Sequence, residues 1–238
     1  MKFTLLASTL TLGLMACGGS DLDPGAGDSG GTGTSTLSVE GTVSAQSRLT
    51  NARNASEFDT EFSVRLQLNG QDVTSGTVTM TSASGSVVLA YTQQNNGRWR
   101  GTAAGYDEVY ILDVDSGADN VHDVRVDGPN VHTFSEPIAG ATVDATLPLV
   151  AKWSGDHAAD SASVDTENLD RVSIPDSGNY SLAAGALKSK KDQAQENQIR
   201  IIRSNRVSPT GATAGSELSV SIENDITVVA MPNPLAGG

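Results

Sequence analysis

The sequence predicts an all-β protein: two small antiparallel β-sandwich domains, 37–128 and 129–238, preceded by a signal peptide (1–16) and a disordered Gly/Ser/Asp tether (17–36). Three observations carry that expectation. From Leu37 onward, apolar and polar residues alternate with a period of two, as in strands that bury one face. Asn-Gly and Ser-Gly pairs separate the alternating runs, supplying the turn chemistry that short strands need. No stretch sustains a helical period, and beyond residue 16 no apolar run approaches the roughly 20 residues of a membrane-spanning helix.

Composition narrows the possible partners. The 238 residues carry a formal net charge of −13, and loss of 1–16, whose only charged side chain is Lys2, makes it one unit more negative. Such a surface repels nucleic acid and anionic membrane surfaces. One cysteine excludes an intrachain disulfide. With aromatics at 4%, the cores must be built from Val, Ile, Leu and Ala.

Taken in order, Lys2 supplies a positive n-region, residues 3–14 a short apolar run, and Ala16 a small residue at which a peptidase could cut. The sequence Leu14-Met15-Ala16-Cys17 resembles the lipobox of bacterial lipoproteins. That resemblance implies a Cys17 that becomes the first mature residue, carries lipid on its sulfur and makes the membrane a partner. Gly18 follows it rather than Asp, which by the same resemblance implies the outer membrane of a bacterial cell envelope. Residues 18–36 have almost nothing to bury. As a flexible coil they would span roughly 25 Å on root-mean-square average.

The expected strands begin with 37–42 and 62–68, the latter closed by Asn69-Gly70, a strong hairpin signal because both central positions of a type I′ turn need positive φ. Further strands are expected at 77–81, 86–91, 98–102 and 108–115. Gly128-Pro129 is the expected boundary, since the residue before proline is pushed to extended geometry. Beyond it, Leu147, Leu149, Ala151 and Trp153 alternate with polar or exposed positions, and strands are expected around 162–164, 198–204, 217–223 and 226–230. The one helix candidate is a turn or two around 183–191.

Thr77-Val78-Thr79-Met80, Val87-Val88-Leu89, Gly97-Arg98-Trp99 and Tyr110-Ile111-Leu112-Asp113-Val114 resemble carboxypeptidase-regulatory-like domains or collagen-adhesin B-type repeats. The likeness covers about 70 residues and implies fold only. No lysine lies between Lys2 and Lys152, so the Lys-Asn isopeptide bond of some such repeats has no lysine to use. In the second half, a strand ending in Trp153, a polar turn and another strand are similar to the start of fibronectin type III and immunoglobulin-like sandwiches.

Candidate chemistry is sparse. Gly27-Asp28-Ser29-Gly30-Gly31 matches the nucleophile signature of trypsin-like proteases, and Gly25, Gly27 and Gly30 fit a dinucleotide-binding glycine pattern. Neither follows a strand, and every histidine lies downstream of Ser29, so no nucleophile or cofactor site is expected there. His122, His132 and His157 have no zinc-site spacing, and His122 is expected on the face of Val124 and Val126. Asp113, Asp115 and Asp119 could supply oxygens to Ca²⁺, although their order departs from the EF-hand loop. Asp156, Asp160, Asp165, Glu167 and Asp170 form a second acidic group. Lys188, Lys190, Lys191, Arg200, Arg203 and Arg206 concentrate positive charge, read as a loop and strand face balancing carboxylates.

The function expected is that of a lipid-anchored envelope protein acting as a structural or adhesin-like binding module, without catalysis and without a cofactor. An envelope protein or glycan is the expected partner. The alternatives are a calcium-dependent adhesin or glycan-binding module, and an envelope hydrolase, for which no nucleophile, base and orienter can be named.

Overall fold

The computed structural model describes residues 22–234. In chain order the first strands are β1 (Thr32–Gly33), β2 (Leu37–Ser47), β3 (Phe58–Leu68), β4 (Gln71–Asp72), β5 (Thr77–Ser82), β6 (Gly85–Val88), β7 (Ala90–Thr92), β8 (Arg98–Ala104), β9 (Val109–Ser116) and β10 (Asp119–Asp127). They continue as β11 (Thr133–Glu136), β12 (Thr142–Val143), β13 (Leu149–Ser154), β14 (Ser161–Thr166), β15 (Leu169–Ile174), β16 (Asn179–Leu182), β17 (Gln195–Val207) and β18 (Glu217–Ala230). The fold is all-β, as expected, built from sheets packed face to face.

Period-two alternation explains β2 and β3. Leu37, Val39, Val43 and Ala45 turn inward from one, and Phe58, Phe62, Val64 and Leu66 from the other, across a register running from Leu37–Leu68 to Ser47–Phe58. Asn69 and Gly70 both have positive φ, at 52° and 78°, and Leu68 pairs with Gln71. This is the two-residue turn that the Asn-Gly pair predicts.

A large sheet in the order β15-β14-β17-β18-β2-β3-β8-β7 runs the length of the molecule, with β12 beside β18 and β4 beside β3. A five-stranded sheet, β1-β10-β9-β5-β6, and a three-stranded sheet, β11-β13-β16, complete the two sandwiches. The first core contains Leu37, Phe62, Trp99, Leu112 and Val126; the second contains Trp153, Val164, Leu182 and Ile199.

β17 and β18 belong to both cores. Leu218, Val220 and Ile222 lie in the first, and Ile226, Val228 and Ala230 in the second. All six are even-numbered, so they share one face of β18. Buried apolar side chains up to Val126 join the first core and those from Phe134 to Ile201 the second, yet residues 37–128 do not close the first sandwich alone. β18 supplies its missing strand by pairing with β2, Val220 opposite Val43. That pairing is parallel, as is β12 with β18, whereas the remaining strand pairs are antiparallel as predicted.

Two other expectations are corrected. Residues 183–191 contain no helix. Thr166 Oγ1 donates to the Ala186 carbonyl, and Asn197 bonds both the N–H and the C=O of Lys188, which holds this segment open. The expected tether is not free from residue 23 on: it forms a strap along the edge of β10, with β1 paired to His122 and Val121. Hydrogen bonding achieves this, since the strap buries little and its side chains are mostly exposed.

Candidate functional site

On the shared inward face of β17 and β18, the hydrophobic positions are interrupted by Arg203, Asn205 and Asn224. These polar residues form a waist between the two cores. Arg203 keeps the parity of Ile199 and Ile201 and is only 1% exposed. Its Nε donates to Asp176 at 2.9 Å, Nη1 donates to the Asn130 carbonyl at 2.9 Å, and Nη2 donates to the His157 carbonyl. Asp176 also accepts from Trp153 Nε1 and the Ala159 N–H. Burial raises the Asp176 pKa, but these donors and the Arg203 charge outweigh it and leave the carboxyl below its ordinary value.

Asn224, 0% exposed, accepts from the Ala52 N–H at 3.0 Å and donates to the Ala52 and His132 carbonyls at 2.8 and 2.7 Å. It thus ties the β2–β3 connection to the segment entering the second sandwich. His132 is also 0% exposed. Its Nε2 lies 3.2 Å from the Ile201 carbonyl, so that nitrogen carries the proton and Nδ1 is a bare acceptor. Among the described residues, Nδ1 has no hydrogen-bond partner. Burial first, and the Arg203 charge second, push the His132 pKa down to about 3.

Above this seam is a cleft of ≈ 260 Å³ where Pro24 and Gly25 of the strap meet Glu108 and Asp127 of the first sandwich and Asp156 and His157 of the second. A second recess of ≈ 250 Å³ shares His157 and reaches Trp153, Asp176 and Arg203. The first cleft is rich in carboxylates. Glu108 is pushed above its ordinary pKa by burial, then by Asp156 and Asp127. Asp28 is raised chiefly by burial, with the Asp127 and Asp160 charges adding to it against a bond from the Asp127 N–H.

The strap is anchored at this cleft. Asp127 Oδ2 accepts from the N–H groups of Gly25 and Gly27 at 3.1 and 3.2 Å, and Asp28 Oδ1 accepts from the Asp127 N–H at 2.7 Å. Arg125 donates to the Asp23 carbonyl at 2.6 Å and pairs with Asp127. Ser29 and Arg125 form a backbone bridge, and Thr210 Oγ1 donates to the Gly31 carbonyl.

The protease-like string therefore has a structural use. Its glycines at 27 and 31 take φ of 92° and 69°, and Ser29 Oγ accepts a local bond from the Gly31 N–H.

The remaining predicted residues are dispersed. Cys17 lies outside the described residues. Asp113 and Asp115 approach opposite nitrogens of His122, at 3.6 and 3.3 Å, and Asp119 accepts from Thr36 Oγ1. Among the described residues, no three His, Cys, Asp or Glu side chains are grouped to hold a metal ion.

His122 is not on the face of Val124 and Val126. A bulge between Val121 and Val124, with Asp123 at φ 56°, inserts one extra residue and turns His122 outward. The acidic and basic groups partly neutralise each other: Asp165 pairs with Arg171 and Arg200, while Asp160 accepts from the backbone N–H of Arg206.

Sequence reasoning passed over Asp127, Glu108, Asp176 and Asn224, and named His132 only as one of three histidines without zinc-site spacing. For Arg203 the signal was present, because its parity with Ile199 and Ile201 places it inside.

No family model matches this chain, and no curated protein does. Among solved structures it is similar to the central fibronectin-III array of RIM-binding protein, at 12% identity and a TM-score of 0.25, over 81% of this chain and 70% of that one. It is also similar to the Yersinia pseudotuberculosis adhesin InvE, at 11% identity and a TM-score of 0.25, over 82% of this chain and 60% of that one. The sheets described above, rather than these likenesses, establish the fold class.

Proposed function

We propose that the chain is a lipid-anchored cell-envelope protein that works by display, as a structural or adhesin-like module without catalysis. The anchor reading comes from the lipobox-like Leu14-Met15-Ala16-Cys17 at the end of an export signal. Each acyl CH₂ buried in the bilayer contributes about 0.8 kcal/mol, and two or more chains make attachment persistent.

The observation that carries the display reading is the β17–β18 pair. Its 13 consecutive paired positions span both cores, so the sandwiches form one continuous scaffold rather than two loosely strung beads. Such a scaffold suits presentation of end loops or sheet faces to an envelope protein or glycan. The outer membrane is the proposed site.

The test is metabolic labelling with a clickable fatty acid, comparing wild type with Cys17→Ala, followed by membrane fractionation and surface protease shaving. Labelled, membrane-bound wild type and unlabelled, soluble variant are expected. An unlabelled wild type removes the lipoprotein reading.

A further inference from the structure

We infer that the strap holds the waist of the molecule, rather than either end, against the lipid surface. This inference rests on the lipid-anchor reading above and concerns how that anchor positions the protein.

Among the described residues the strap is first held by Arg125 on the Asp23 carbonyl, and Pro24 and Gly25 line the cleft between the sandwiches. Six residue steps separate Cys17 from Asp23, giving a maximal reach of about 20 Å. Were the chain free as far as Leu37, twenty steps would allow about 70 Å. Docking of the strap shortens the leash more than threefold and moves its exit point from the far end of β2 to the waist.

The cleft lies at Asn205, which pairs with Val220 opposite Val43 of β2. From there Leu37, at one end, is six residues or about 20 Å away, and Gln195, at the other, ten residues or about 34 Å. An end-on stance would stretch the leash to its limit or beyond, whereas a side-on stance leaves it slack and entropically favoured. The waist surface carries Asp23 and Asp156 exposed, so a covalent leash, and not charge attraction, imposes the approach. Added salt should therefore bring the waist closer to anionic lipid by screening this repulsion.

The lipidated protein, reconstituted in nanodiscs containing gadolinium-chelating headgroups, tests this by amide relaxation. Expected is a several-fold greater enhancement at Gly25 and His157 than at Gly70 and Gln195, which mark the two far ends. The Gly31→Ala variant should flatten that profile, because its Cβ would lie 2.1 Å from the His122 carbonyl and displace the strap without altering either core. Asp127→Ala, which removes both glycine contacts, should do the same by an independent route.

A nanodisc-bound wild type with a flat profile, or one strongest at Gly70 or Gln195, overturns the inference while leaving the anchor intact. A wild type without lipid that fails to bind nanodiscs overturns the anchor reading and this inference with it.

Discussion

Replacing His132 should change how stability depends on pH more than it changes stability at neutral pH. In the folded chain the pKa of His132 is about 3, against an ordinary value of 6.5. The folded state therefore binds fewer protons than the unfolded state over that interval, and stability is lost as pH falls through it. Linkage gives a loss of about 1.4 kcal/mol at about pH 5.5, and just under 3 kcal/mol at about pH 4.5. For a domain stable by about 5–15 kcal/mol, that is a substantial share.

Other groups act in the same range. Glu108, Asp28 and Glu223, whose folded pKa values are raised, add stability as pH falls through those values. Asp176, held low, contributes stability that is lost only as pH falls below the ordinary carboxylate range. Comparison of wild type with His132→Gln cancels these contributions and keeps a donor for the Ile201 carbonyl. Urea denaturation across pH 4.5 to 8 should show the two curves lying closest near neutral pH and separating as pH falls, because wild type alone loses the His132 contribution. Parallel curves, or a His132 ring resonance titrating near 6.5 in the folded protein, would refute the reasoning.

Further outcomes can be checked with the same denaturation assay or by melting. Arg203→Ala should cost roughly 3–5 kcal/mol, since it leaves the buried Asp176 without its cation, while Arg203→Met with Asp176→Asn should recover part of that. Asn224→Ala should cost about 3 kcal/mol by orphaning buried backbone groups at Ala52 and His132, with equal loss seen by probes in either sandwich. Gly70→Ala should cost roughly 1 kcal/mol, from positive φ alone, because the space around it is open. Millimolar calcium should leave the melting temperature unchanged, as Asp113, Asp115 and Asp119 are engaged separately by His122 and Thr36. A rise abolished by Asp113→Ala would establish the calcium site instead.

Much of the architecture could be read from local chemistry. Alternation in β2, β3 and the two halves of β18 follows from which neighbouring residues can share a face, and Asn69-Gly70 specifies its own turn. The proposed export signal and the lipobox-like string rest on patterns of adjacent residues alone. What the sequence alone could not determine involves partners distant along the chain. The parallel pairing of Val220 with Val43 joins residues 177 positions apart, and no local pattern marks it. The strap is glycine-rich and reads as coil, yet it is held by Arg125, Asp127 and Thr210, roughly 100 to 180 residues away. The outward turn of His122 depends on a bulge, which resets the period-two count that sequence reasoning relies on. The waist likewise exists only after folding: Arg203, His132 and Asn224 become a seam because strand pairing brings their polar groups together where neither hydrophobic core extends, and burial there requires each to find a partner.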